Sequence, residues 1–194
     1  MADNKVRFGL QNVYVAFKTD SGYDTPVHIP GAVNLTMNPE GNQDVFYADN
    51  IPYVTFSSNS GYTGELEMAI IPDEVLAEMF GWEVDSNGAI VENASGTPKS
   101  FALLYEVKGD AKNRRNAFYN VSAARPSGSA ATTTDTTDPN TETLSITMIP
   151  AQFTSGTGAN AVTRNVTKAS MELADGNASA YNSFFSAVYV PTFA

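Results

Sequence analysis

The chain contains no cysteine and a single histidine, His28. The first absence excludes a disulfide scaffold, a thiolate metal site and a cysteine nucleophile. The second excludes a multi-histidine zinc centre and a two-histidine acid/base pair. Basic residues are also scarce: 11 Lys and Arg stand against 21 Asp and Glu, for a net charge of −10 and a pI near 4.4. Affinity for nucleic acid comes from Lys and Arg, so a protein that grips phosphates is excluded. No apolar run approaches the roughly eighteen residues that cross a bilayer, so no membrane anchor is expected. Charged residues reach only 16% of the total, too few for an acidic disordered chain.

What is present is a chain of 194 residues, 42% hydrophobic and 11% aromatic. That suffices for a real core, and no internal repeat or linker interrupts the pattern, so residues 1–194 read as a single domain. The start, MADNKVRF, has Asp3 and no apolar stretch behind it, and does not read as a signal peptide. Folding in a cytoplasm is the expectation. The five N-x-S/T sequons, at Asn34, Asn93, Asn120, Asn165 and Asn177, then carry no weight.

The pattern is mainly β. Gly9–Phe17 mixes β-branched and aromatic residues and ends at Ser21-Gly22, a turn signal. Ala32–Met37 and Tyr53–Ser57 are further strand-like runs. In Tyr62–Ile70 the alternation is clear, with Leu66, Met68 and Ile70 on one face and Glu65, Glu67 and Ala69 on the other. Ser100–Lys108 and Asn116–Ala124, joined by Gly109–Arg115, read as a hairpin. Glu142–Ile149 alternates again, with Leu144, Ile146 and Met148 together, and Val162–Leu173 reads as one more strand.

One short helix stands out, at about 72–80. Pro72 suits its first position, and Asp73 and Glu74 favour the helix N-terminus. Val75, Leu76, Met79 and Phe80 share a face, and Gly81 is the stop. Tyr181, Phe184, Phe185 and Val188 have the spacing of a second short helix, at about 179–189. Two stretches lack large apolar side chains and read as loops, Pro126–Thr141 and Thr154–Asn160.

No constellation of catalytic residues emerges, so an enzyme is not expected. His28, in TPVHIPG, has no Ser or Asp partner at triad spacing. Asp73, Glu74 and Glu78 are explained by helix polarity rather than by a metal, and Asp135 and Asp138 lack the spacing of a calcium loop. Gly61-Tyr62-Thr63-Gly64 and Gly156-Thr157-Gly158 have no following Lys and do not cradle phosphate. No cofactor is implied. Arg114 and Arg115, near Lys108 and Lys112, form the single basic cluster, which suits a solvated hairpin tip or a contact for an acidic neighbour. Glu65 and Glu67 share a strand face, while Glu106 and Glu142 lie in other strands. In a monomer these are ordinary solvent-facing acids, and in an oligomer they could line a cavity.

The order of motifs resembles the major tail proteins, or tail tube proteins, of long-tailed, non-contractile phages and prophages of Gram-positive bacteria. The segments carrying it are Gly9-Leu10-Gln11-Asn12-Val13, Ile29-Pro30-Gly31-Ala32-Val33 and Pro39-Glu40-Gly41. Phe46-Tyr47-Ala48-Asp49 and Ser57-Ser58-Asn59-Ser60-Gly61-Tyr62-Thr63-Gly64 follow, then Ile71-Pro72-Asp73 and Phe101-Ala102-Leu103-Leu104-Tyr105-Glu106. Arg125-Pro126 and Thr141-Glu142-Thr143-Leu144 complete the series, which covers roughly residues 9–150 and, more weakly, 181–191.

The resemblance implies a two-sheet β-sandwich or barrel with a flanking helix, six copies to a ring, and rings stacked into a hollow tube. Such a tube is part of the virion tail, assembled in the host bacterial cytoplasm, and double-stranded DNA passes through it. Its partners are other copies of itself and the tail tip or baseplate, tape measure and tail terminator proteins. Six copies at −10 carry −60 per ring, and an acidic wall repels phosphate so that DNA slides without sticking. Glu65, Glu67, Glu106 and Glu142 are the residues expected to face the channel. Inter-subunit contacts are expected from the terminal arms, from residues 43–60 (Asp49, Tyr53), from 126–141 (Thr133, Thr134, Asp135), and from Arg114 and Arg115. The alternatives are a tube protein of a contractile tail or secretion machine, and a carbohydrate-binding β-sandwich using Trp82, Tyr23, Tyr53 and Tyr62 as an aromatic platform.

Overall fold

The computed structural model describes residues 8–126, 140–158 and 161–193. Its first half is strand-rich: β1 (Leu10–Thr19), β2 (Gly22–Tyr23), β3 (Val27–Ile29), β4 (Ala32–Leu35), β5 (Asn38–Glu40), β6 (Gln43–Ala48), β7 (Ile51–Ser57) and β8 (Gly61–Met68). Helix α1 (Asp73–Phe80) follows, then β9 (Glu83–Val84), β10 (Ile90–Val91), β11 (Phe101–Val107), β12 (Arg115–Ala123) and β13 (Glu142–Ile149). The chain closes with β14 (Ala151–Ser155), β15 (Val162–Val166), β16 (Lys168–Met171) and a short helix α2 (Ala178–Asn182). The fold is mainly β with a flanking helix, as the sequence predicts.

A single antiparallel network of ten strands forms the body, in the order β2-β1-β11-β12-β13-β8-β4. Three strands branch from that path, β3 on β1, β5 on β8 and β16 on β12. The sheet curls because of β3 and β4. β3 pairs with the free edge of β1, β4 pairs with the free edge of β8, and only Pro30-Gly31 lies between them. This short crossing laces the two ends of the sheet together. Gly64 makes the lacing possible, since a Cβ there would run into the carbonyl of Thr36.

Burial then follows the strand faces. Val13, Val15 and Phe17 of β1 meet Leu66 and Met68 of β8, Phe101, Leu103 and Tyr105 of β11, and Leu144, Ile146 and Met148 of β13 in one core. The apolar face of α1 (Val75, Leu76, Met79, Phe80) joins that core. A second, smaller core lies on the reverse side of β1, β11 and β12, where Ala16, Ala102, Leu104, Ala117 and Tyr119 pack under Phe184. Central strands are therefore buried on both faces, and Phe101–Tyr105 is apolar without a break. On β13 the reverse face stays open, so its burial alternates residue by residue.

The helix stop is sterically demanding. Gly81 has φ +67°, and a Cβ there would lie 2.7 Å from both the backbone nitrogen and the oxygen of Thr97. Replacing Gly81 by alanine combines left-handed strain with a backbone clash, and an expected loss of about 2 kcal/mol follows. Thermal denaturation of Gly81→Ala against the native chain measures it.

Four expectations need correction. Val162–Leu173 is not one strand: it breaks at Thr167, with β15 folding back on β14 and β16 moving to β12. Part of the expected loop at Thr154–Asn160 is thereby recruited into a hairpin, because its Thr residues pair as readily as they turn. The second helix ends at Asn182 instead of running to 189. Phe184 must enter the second core while Phe185 stacks on Tyr14, and a continued helix does not serve both. Ile70 lies beyond the end of β8 and is exposed rather than sharing the buried face.

Candidate assembly surfaces

Residues 43–57 form an arm. The ladder between β5 and β8 continues through Asn42 and Ser58, where Ser58 N–H donates to the Asn42 carbonyl at 2.8 Å, into the separate β6–β7 hairpin. At the tip, Asp49 (φ +51°) and Asn50 (φ +63°) form a two-residue turn with both residues left-handed, the geometry that Asn and Asp tolerate best after Gly. Asp49 is thus a turn-former. The register places Phe46, Val54, Phe56 and Ile51 on one face, and all four are exposed, Phe56 to 62% and Phe46 to 55%. Tyr53, unpaired at a bulge, is 69% exposed. An isolated two-stranded hairpin is marginal in water, and a contiguous apolar face on it is a surface built to be covered.

A second surface is acidic. Thr63, Glu65 and Glu67 of β8 and Thr143, Ser145 and Thr147 of β13 form the open reverse face, with Ser145 opposite Glu65 and Thr143 opposite Glu67. Glu40 joins them and accepts a hydrogen bond from the Thr63 hydroxyl at 2.7 Å; Glu67 accepts one from Thr141 at 2.7 Å. No Lys or Arg occurs in β4, β5, β8 or β13. Glu40 was not anticipated from the sequence, because it follows Pro39 in a stretch that reads as a turn.

Two of the four expected wall acids do not belong to this surface. Glu142 falls on the inward face with Leu144 and accepts the Ile71 N–H at 2.7 Å, two residues ahead of α1. Its charge suits the positive end of that helix. Glu106 lies at the opposite end of the sheet, under the C-terminal segment. It accepts from Asn12 Nδ2 at 2.6 Å and from Gln11, and lies 3.7 Å from Arg115 Nε. Asn12 reaches it because a bulge holds that residue at φ +53°.

Nor are the two arginines presented as free contacts. Arg114 forks onto Asp110, at 2.7 and 3.1 Å, and this hydrogen bond pushes the guanidinium pKa up. Arg115 donates to the Tyr181 carbonyl, and its guanidinium lies over the Tyr181 ring (4.1 Å) and the Phe185 ring (4.9 Å). It bolts the C-terminal segment to the body. Thr133, Thr134 and Asp135 lie outside the described residues.

The aromatic platform does not assemble. Trp82 packs against Phe80, Tyr62 against Phe118, and the Tyr23 hydroxyl donates to the Tyr119 carbonyl at 2.6 Å, which leaves Tyr53 alone on the arm. Burial raises the Tyr23 phenol to about 12 and pushes Tyr119 up as well. His28 is exposed, its ring tilted on Tyr14 at 4.8 Å. Among the described residues, no three His, Asp or Glu side chains gather as a metal cage. No family model matches the chain, and no curated protein matches its sequence.

Proposed function

We propose that the chain is a structural tube protein of a non-contractile phage tail, assembling into stacked hexameric rings around a channel for double-stranded DNA. The observation that carries this reading is the β6–β7 arm, whose apolar face is exposed among the described residues. A surface of that kind is stable in solution once a second molecule sits on it, and a ring closed by heterologous contacts supplies one. The acidic, hydroxyl-lined face of β8 and β13 supports the channel. Glu40, Glu65 and Glu67 would repel phosphate there, while the Thr and Ser side chains offer no cation to trap it. Glu106 and Glu142 are committed elsewhere and take no part in that wall. In this reading the protein resides in the virion tail, and its partners are its own copies and the tail tip, tape measure and terminator proteins.

Negative-stain electron microscopy of concentrated protein, with its mass in solution, is the test. Hollow tubes or six-membered rings are expected, and a reconstruction should put Glu65 and Glu67 on the inner wall. A species that stays monomeric even with tail-tip complex added would overturn the reading.

A further inference from the structure

A cleft of about 510 Å³ opens where three distant parts of the chain meet: the end of the β1–β2 hairpin (residues 18–25), the start of β14 (151–154) and the irregular segment 186–190. That volume lies within the range of about 300–1,000 Å³ typical of small-molecule sites. Each wall is fastened to the second core. The Tyr23 hydroxyl donates to the Tyr119 carbonyl at 2.6 Å, Phe153 meets the Tyr119 ring edge-on at 4.7 Å, and Tyr189 stacks on Phe184 at 6.1 Å. Tyr119 and Phe184 are fully buried, so the cleft is formed before any ligand arrives. Rigid scaffolds place their binding groups on turns and loops of this kind.

The chemistry of the walls narrows the ligand. Asp20 and Asp24 stand there against Lys18 as the one cation, a balance that opposes phosphate and other anions. Ser and Thr make up much of the remaining lining. An apolar ligand would strip those hydroxyls of water and give them no partner in return. What fits is a neutral molecule dense in hydroxyl groups, since a hydroxyl both donates and accepts. Carboxylate and amide side chains fork onto neighbouring hydroxyls. Among the described residues, no side-chain hydrogen bond or ion pair already engages Asp20, Asp24 or Gln152. Tyr23 and Phe153 add aromatic rings beside them, which suit the C–H groups of a sugar ring.

We propose that the cleft binds a neutral saccharide. The Asp20, Asp24 and Gln152 side chains hydrogen-bond its hydroxyls, and Tyr23 and Phe153 pack on its ring. All the walls come from one chain, so the site goes beyond the tube reading and does not rest on it. It also differs from the aromatic platform expected of a lectin-like surface: of Trp82, Tyr23, Tyr53 and Tyr62, Tyr23 alone takes part.

Saturation-transfer difference NMR on the full-length protein, with cellobiose and chitobiose as probes, is the test. Saturable transfer to at least one of the two sugars is expected. The double variant Asp24→Ala/Gln152→Ala should weaken it roughly tenfold, the loss of two hydrogen bonds of ordinary strength. Both residues are exposed, and circular dichroism checks that the fold persists. Tyr53→Ser, on the arm, should leave binding unchanged, and inorganic phosphate should not compete. Absence of transfer to both sugars overturns the proposal, as does transfer indifferent to the double variant, lost with Tyr53→Ser or displaced by phosphate. Monomers and assembled tubes should bind alike. Failure here therefore leaves the tube standing, and an obligate monomer that binds sugar keeps the cleft without the tube.

Discussion

Under the proposed tube function, serine at both Phe46 and Phe56 is expected to weaken assembly strongly and to leave the monomer folded. Both side chains are more than half exposed, and neither belongs to a core, so the monomer loses almost nothing. Surface changes of that kind stay within about 0.5 kcal/mol. In an assembled contact each buried Phe contributes roughly 1.5–3 kcal/mol, so removing two costs at least about 3 kcal/mol per interface. The concentration needed for assembly rises about a hundredfold or more. Sedimentation and electron microscopy read the assembly, and differential scanning calorimetry reads the monomer. Normal tubes from the double variant would show that the arm is not the adhesive surface.

Arg115→Ala acts in the opposite way, on the fold itself. The substitution removes cation–π contacts to Tyr181 and Phe185, a hydrogen bond to the Tyr181 carbonyl, and the ion partner of a mostly buried Glu106. Breaking a buried pair by deleting one partner costs about 3–5 kcal/mol. Residual exposure and the neighbouring amides of Gln11 and Asn12 place the expected loss near the lower end, about 3 kcal/mol. For a chain of this size that lowers Tm by roughly 6–12 °C. Arg115→Lys should recover little, because a compact ammonium cannot reach the rings, the Tyr181 carbonyl and Glu106 at once as the guanidinium's separate nitrogens do. Limited proteolysis should cut after α2 in the alanine variant first. A loss below about 1 kcal/mol would mean that the C-terminal segment is held by Phe184, Phe185 and its other contacts rather than by Arg115.

The body of this fold was legible where a residue's neighbours come from the period of its own strand. Leu144, Ile146 and Met148 announce a half-buried strand, and the unbroken run Phe101–Tyr105 announces one buried twice. Helix α1 is written in Pro72, four spaced apolar residues and Gly81. The candidate surfaces were harder. Glu65 and Glu142 look equally exposed in sequence, yet they lie on opposite faces of their sheet, because parity is counted from different strand starts. Glu106 meets Asn12 across 94 residues, through a bulge that no local pattern encodes. Within 43–60 only Tyr53–Ser57 reads as a strand, whereas Gln43–Ala48 pairs with Ile51–Ser57 as a hairpin. Alternating aromatic residues record that a face will be covered but not whether the cover comes from the same chain.

The crossing at Pro30-Gly31 has a consequence for how the chain reaches this state. β3 and β4 are adjacent in sequence but pair with strands at opposite ends of the sheet. β1 pairs with β11 some ninety residues away, and β8 with β13 nearly as far. Each half of the lace is a local pairing, Val13 with Ile29 and Leu35 with Leu66, but the sheet that joins them closes only through β1–β11 and β8–β13, so the rate is set by distant loop closures rather than by local nuclei. Folding belongs in the millisecond-to-second range of non-local β proteins, with closure as the late event. Until then the edges of β1 and β8 that receive β11 and β13 stay open together, and that interval carries the greatest risk of misassembly.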